Sequence, residues 1–311
     1  MRPELASPNV LWTLGSILFL LALATVSKKI VQRINPRIDL SLPAHYINTW
    51  WIIVIPLALA IATSKGLSIL LFAFVSFMAL KEFFSIIPIR RTDRRVLFWA
   101  YLTIPIQYYW IAKNWFEMFV IFIPVIVFLI LPVRVILIGN ISGLVKTTGV
   151  IQWGLMTTVF GISHLAYLLV LPPKYNPNGG GAGFVLYLIL LNQLNDIAHA
   201  ISGKAIGHLS VFPNLRSQKT YEGLVFATSL TVFLSLLLSQ LLTPLTHIES
   251  VLAGLVIGLG GVIGDAIMSG LKQDLGIKQN NTNEQMYTRI LDNMDSLMYT
   301  APLFFYFLKI T

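Results

Sequence analysis

The sequence predicts an all-α polytopic membrane bundle of about ten transmembrane helices, with the N- and C-termini on the non-cytoplasmic side. Three observations carry this. Of the 311 residues, 56% are hydrophobic and only 11% charged, where a soluble domain carries about 25% charged residues. Mean hydropathy is +0.76. The apolar residues also fall into runs close to the ~20 residues that a bilayer-crossing helix needs.

Taken in order, the first run lies at roughly 10–27. It is too long for the apolar core of a signal peptide and lacks a small-residue cleavage site. Lys28, Lys29, Arg33 and Arg37 follow it and retain that end in the cytoplasm. Runs at 49–64 and 66–84 are separated by Lys65, and the first of these is short. Runs at 96–112 and 115–133 carry Trp99, Tyr108, Tyr109, Trp110 and Trp115, as Trp50 and Trp51 open the second run. Such aromatic residues suit the membrane–water interface. A run at 149–171 closes a first half almost without intramembrane charge, and runs at 183–201, 222–243, 248–270 and 294–309 follow, the last again short.

Alternating these spans from an external N-terminus tests the count against every cation. Of the 22 lysines and arginines, all but Arg2, Lys65, Lys113, Lys174 and Lys309 fall on the cytoplasmic side. One span too many or too few would destroy that asymmetry. The net charge of +9 therefore reflects topology and attraction to anionic membrane lipids, to which Arg90, Arg91, Arg94 and Arg95 contribute, rather than nucleic acid. Cysteine is absent, which excludes disulfides and thiolate metal ligands.

Residues 1–311 are expected to form one integral membrane domain. Within it, 1–171 reads as scaffold and lipid-facing wall, and 184–311 as the functional half. In that half Asp196, Glu222, Asp265, Asp274, Glu284, Asp292 and Asp295 all lie in cytoplasmic loops or near cytoplasmic helix ends, so they can converge on one site. The stretch Pro172–Gly181 is glycine-rich but has no Gly-Lys-Ser/Thr and falls outside, which reads as a flexible linker rather than a phosphate loop.

Three segments carry candidate chemistry. In the first, Asn192, Asp196, His199 and Gly203 share a helix face; Asn and His there suit helix–helix contacts, while Asp196 asks for a cation or a substrate. The second is the cytoplasmic loop Arg216-Ser217-Gln218-Lys219-Thr220-Tyr221-Glu222, which runs into a helix. Cations and a threonine hydroxyl at a helix start suit a phosphate, and a plain helix cap is the competing reading. In the third, Asp265, Ser269 and Lys272 stack at i, i+4 and i+7, and Asp292 and Asp295 open the final run. Gly254, Gly258, Gly260, Gly261 and Gly264 give small-xxx-small spacing, so close helix approach would bring Asp265 toward Asp292 and Asp295. Three carboxylates without a thiolate select a hard cation, Mg²⁺ by default, against the alternative of pairing with Lys272, Lys278 and Arg289. His164, alone in the sixth span, reads as a packing residue.

In this order the segments resemble the phosphatidate cytidylyltransferase (CDP-diacylglycerol synthase) family of membrane enzymes. "NDIAHAISGKAIG" is similar to the family's Asp-containing helix followed by G-K-x-x-G, and "LRSQKTYEG" to its S-P-x-K-T-x-E-G loop. "GDAIMSGLKQDLGIK", followed by "ILDNMDSLMYTAPLFFYF", resembles the signature S-x-x-K-R-x-x-x-x-K-D … H-G-G-x-x-D-R-x-D-S. The departures are concentrated: Arg216 and Ser217 replace Ser-Pro, Gln273 an Arg, and Gln279 an Asp. Tyr287, Thr288 and Arg289 replace His-Gly-Gly, and Asn293 replaces an Arg. What is lost is cationic grip on a triphosphate.

The resemblance implies cytidylyl transfer from CTP to phosphatidic acid at the cytoplasmic face of a bacterial inner membrane. Asp265, Asp292 and Asp295 would hold one or two Mg²⁺ ions, with a monovalent cation such as K⁺ also compatible. Asp265, Lys219, Lys272 and Asp196 would form the catalytic set. Ser217, Thr220, Glu222, Ser269, Lys278, Lys204 and Arg289 would contact substrate. Membrane lipids are the surroundings, nucleic acid is not a partner, and a homodimer is compatible. The altered signature keeps open a divergent or inactive member with another lipid phosphate or nucleotide, or a lipid-binding role. A transporter using Asp196 and Asp265 as coupling carboxylates fits less well, because the charges gather at one side and no inverted repeat is visible.

Overall fold

The computed structural model describes residues 7–35, 40–87, 94–137, 143–215, 219–276 and 290–311. Among them lie ten long helical rods: α1 (Pro8–Ile34), α2 (Ser41–Thr63), α3 (Lys65–Ile86), α4 (Arg94–Ala112), α5 (Phe116–Leu137), α6 (Leu144–Val170), α7 (Gly180–Ile206), α8 (Tyr221–Leu242), α9 (His247–Asp274) and α10 (Ile290–Ile310). Each coincides with one apolar run. By length and composition, eight can cross a membrane; the other two are α4 and α10, which are more polar. The chain is an all-α polytopic membrane bundle. Among the described residues the one extended pairing is an isolated bridge between Ser210 and Thr220.

Local chemistry sets the helix ends. Ser7 caps α1 with Pro8 in its first turn. Ser64 ends α2 and its hydroxyl accepts from Leu67 N–H to start α3, so the two helices turn on a single residue. The two short apolar runs become full-length helices by taking in polar residues, His45 and Tyr46 in α2 and Asp292 and Asn293 in α10. At the far end of α9, Glu249 and Thr246 form a reciprocal capping box, which gives that glutamate a structural task away from the other acidic groups.

The expectation of a lipid-facing first half does not extend to α6. The spanning stretch of α6 is 83% buried, more than the 72% of α7, whereas that of α1 is 17% buried. Composition misses this because lipid-facing and interior helices are equally apolar. α6 is the central post, packed on α3, α7 and α10. Within it lies a π-helical stretch, Leu155–Gly161, against a similar stretch of α5, Phe122–Val127. Gln152 and Gln107 donate to the carbonyls of Ile123 and Phe119 beside it. His164 sits among Phe119, Phe160, Phe305 and Tyr306, with Nδ1 2.7 Å from the Phe160 carbonyl; packing is its role.

The stretch Pro172–Gly181, expected to be a flexible linker, is built instead around Asn176. This side chain is buried, donates to the carbonyls of Leu242 (2.7 Å) and Gly180 (2.8 Å), and accepts from Gly179 N–H (3.0 Å) and Asn178 N–H (3.2 Å). Asn178 adds a bond to the Thr243 carbonyl at 3.1 Å. Together they bolt the α6–α7 connection to the end of α8. Asn176→Ala strands buried backbone acceptors and is expected to cost about 2 kcal/mol, read as a lower unfolding temperature of the purified protein.

Candidate active site

The site is assembled at one end of the bundle by α7, the loop before α8, α9 and the start of α10. Glycines let these helices meet. A Cβ on Gly254 would fall 2.7 Å from Val232 Cα on α8, and one on Gly261 3.2 Å from Asn195 Nδ2 on α7. One on Gly264 would fall 2.7 Å from the Asp295 carbonyl on α10. The expectation that this glycine ladder carries Asp265 toward α10 holds.

Lys219 is the centre. Its ammonium lies 3.3 Å from Asp265 and 4.0 Å from Asp196, with side chains only 15–25% exposed. Burial alone would lower its pKa; Asp265, then Asp196 and Asp295, outweigh that and hold it above the ordinary lysine value. Lys219 is therefore charged throughout the neutral range. Ser296 links the cluster to α10, donating to Asp196 at 3.1 Å and to Asp295 at 3.4 Å, while its own N–H reaches Asp295 at 2.7 Å. Asn192 extends the network from Asp196 (3.5 Å) to Thr300 (3.1 Å). Asn195, beside it, accepts from Thr231 and donates to the Gly258 carbonyl, tying α7 to α8 and α9.

A second pair stands alongside. Lys272, in the last turn of α9, reaches Asp292 in the first turn of α10 at 2.6 Å. Of the expected trio, Asp265 and Asp292 are thus held by different lysines, while Asp295 accepts from Ser296. Among the described residues no three Asp, Glu or His side chains enclose an ion-sized position. The donors around Lys219 are nevertheless hard oxygens, which suits Mg²⁺ chemically.

The remaining expected residues divide. Ser269 is half-buried one turn beyond Asp265, whereas Lys204 stands exposed at the end of α7. Thr220 caps α8 by accepting from Gly223 N–H at 3.2 Å, and Glu222 accepts from the N–H groups of His208 and Leu209. Those two build the loop that delivers Lys219, as the capping reading expects. Ser217, Lys278 and Arg289 lie outside the described residues, as do Arg216, Gln279, Tyr287 and Thr288.

Three contributors carry no motif. Tyr46 of α2 lies within electrostatic reach of Asp196, Lys219 and Asp265. Glu82 of α3 accepts from Leu291 N–H at 3.0 Å and so caps α10 from the first half of the chain. Gln193 donates to the Asn293 carbonyl. Glu82 and Gln193 stand inside apolar runs and Tyr46 just before one, with no further signal in the sequence.

With this geometry established, comparison with known proteins is informative. The model of the cytidylyltransferase family matches residues 45–311. The chain belongs to this family. The chain is 39% identical over 298 residues to the uncharacterized protein YnbB of Escherichia coli K12, covering 96% of this chain and 97% of that protein. It is 28% identical over 163 residues to the phosphatidate cytidylyltransferase of Staphylococcus aureus COL, covering 49% of this chain and 59% of that protein. The corresponding Staphylococcus epidermidis protein is similar to the same degree over 156 residues. The family match takes in α7, the loop before α8, α9 and α10, together with all of α3 and most of α2.

Proposed function

We propose that this family member makes CDP-diacylglycerol from phosphatidic acid and CTP, at the cytoplasmic face of a bacterial inner membrane. The observation that carries the reading is the meeting of Asp196, Lys219 and Asp265, one from each of three separate sequence segments, at one end of a membrane bundle. In this reading all ten rods span, with both termini outside, so the cluster faces the compartment that holds CTP.

A phosphate oxygen of the lipid attacks the α-phosphorus of CTP, and the bond to the β-phosphate oxygen breaks, releasing pyrophosphate. Such transfer needs positioning and charge neutralisation more than a strong base. Lys219 and Lys272 supply fixed positive charge, and Asp196 holds the Lys219 ammonium in place. Asp265, Asp292 and Asp295 are the carboxylates that would hold a divalent cation, with a monovalent ion such as K⁺ compatible beside it. When bound, the cation would shield the phosphates and polarise the reacting phosphorus. Lys278, Arg289 and Ser217 are proposed as further phosphate contacts, and a homodimer in the bilayer is compatible with the reading.

One observation favours a second reading, the same transfer with another nucleotide or lipid phosphate, or lipid binding without turnover. Gln273, where the related signature has an arginine, donates to the Asn214 carbonyl at 3.0 Å. It braces the α7–α8 loop and offers no charge to a triphosphate.

The test is product formation by purified protein in detergent from phosphatidic acid, labelled CTP and Mg²⁺. The wild type is expected to turn over, and Asp265→Asn to be at least ~100-fold slower, the scale of one lost transition-state contact. A folded but inactive wild type, beside an active relative, would shift the assignment to the second reading.

A further inference from the structure

His199 lies one helical turn beyond Asp196 on α7 and is only 3% exposed. Among the described residues neither of its ring nitrogens has a hydrogen-bond partner. Every other polar side chain of α7 from Asn192 to Ser202 is paired: Asn192 with Asp196 and Thr300, Gln193 with the Asn293 carbonyl, Asn195 with Thr231 and Gly258. Asp196 is paired with Lys219 and Ser296, and Ser202 with the Ala198 carbonyl. A buried polar group left unpaired is destabilising, and such groups mark places where a partner is missing.

Two structural explanations fit poorly. A helix–helix contact would show a partner on α8, α9 or α10, and among the described residues none exists. An aromatic packing role would resemble His164, which is enclosed by four rings and bonded through Nδ1; His199 has neither feature. It does lie within electrostatic reach of Lys219 and Asp265. An imidazole N–H next to a permanent ammonium favours an anionic acceptor over a neutral one.

We propose that His199 is a substrate-contacting residue whose ring N–H donates to a phosphate oxygen of the ligand held at Asp196, Lys219 and Asp265. This rests on the reading of that site as one for phosphate esters. The shared chemistry is a phosphate oxygen, supplied either by the lipid or by the nucleotide.

The test compares the full-length wild type with His199→Leu and His199→Gln in detergent with Mg²⁺. Unfolding temperature is measured alone and against inorganic pyrophosphate, CTP and dioctanoyl phosphatidate, with turnover followed in parallel. Without ligand, His199→Leu is expected to unfold at the wild-type temperature or above, because an unpaired buried group has been removed. Its affinity for at least one probe should fall about tenfold, the scale of one charge-assisted hydrogen bond. His199→Gln, which keeps an N–H donor, should recover part of the loss. A loss confined to dioctanoyl phosphatidate assigns the lipid phosphate, and one confined to CTP or pyrophosphate assigns the nucleotide.

Three outcomes overturn the inference: His199→Leu binding all three probes as the wild type does, His199→Leu unfolding well below the wild type, or a wild type that binds no phosphate probe. A wild type that binds phosphate probes but does not turn over would sink the proposed reaction, while His199 is still judged by binding.

Discussion

Replacing Lys219 by methionine is expected to abolish turnover and to lower stability by about 3 kcal/mol. Lys219 is the cation shared by Asp265 at 3.3 Å and Asp196 at 4.0 Å, with Asp295 close enough to raise its pKa. Removing one partner of a buried ion pair typically costs ~3–5 kcal/mol, since the remaining charges stay buried and unpaired. The value belongs at the lower end because the two carboxylates are about a quarter exposed to solvent. For a chain of this size the unfolding temperature should fall by several degrees, at roughly 2–4 °C per kcal/mol. Turnover should drop at least ~1,000-fold if Lys219 both orders the carboxylates and neutralises phosphate. Lys219→Arg separates the two roles. It retains the charge and should recover most of the stability, yet its planar fork does not reproduce a compact ammonium, so activity should stay low. A Lys219→Met protein as active as the wild type would remove Lys219 from the site.

The second large effect comes from a methyl group. A Cβ on Gly264 would lie 2.7 Å from the Asp295 carbonyl oxygen and 3.1 Å from Ser296 Cα. Both are backbone atoms of α10 and cannot rotate aside, so α9 and α10 must separate. Overpacking of this kind costs about 1–3 kcal/mol. The functional loss should be larger than the stability loss implies, because Asp265 follows Gly264 on one helix and Asp295 and Ser296 face it on the other. Gly264→Ala is expected to cut turnover at least tenfold, since ångström-scale misplacement of catalytic groups costs on the order of 100-fold. Gly149→Ala in α6 is the matched control, with nothing within 4 Å of its added Cβ; there, relief of glycine's entropy should stabilise by about 0.5–1 kcal/mol. If Gly264→Ala behaved like Gly149→Ala, close contact between α9 and α10 would not govern the site.

Much of this was legible in the residues. Each helical rod coincides with an apolar run because crossing a bilayer requires a long apolar stretch whose backbone bonds are satisfied internally. The approach of α9 to α10 was legible because Gly260, Gly261 and Gly264 can serve few purposes in an apolar helix other than close contact. The grouping of Asp196, Lys219 and Asp265 was legible in the resemblance of their three segments, in order, to one family's motifs.

Pairing was another matter. Asp265, Asp292 and Asp295 read as one set, since spacing along a helix cannot say which ammonium each carboxylate meets. The structure gives Lys219 to Asp265 and Lys272 to Asp292. Thr220 and Glu222 read as substrate contacts; in the structure the Thr220 hydroxyl accepts from Gly223 N–H and one Glu222 carboxylate oxygen accepts from the loop backbone. Nothing in the first half announced that Glu82 caps α10 or that Tyr46 approaches the cluster.

By itself, then, the sequence determined an all-helical membrane chain, its glycine-lined contacts, and the residues able to carry charge at one end. The tertiary structure alone decided that α6 is the core rather than the wall, that Asn176 pins a connection expected to be loose, and that His199 is buried without a partner among the described residues. The physical reason is common to all three. Hydropathy and local spacing are properties of a segment, whereas burial and pairing depend on which other segments arrive, and in lipid an inward-facing helix and an outward-facing one are built from the same apolar residues.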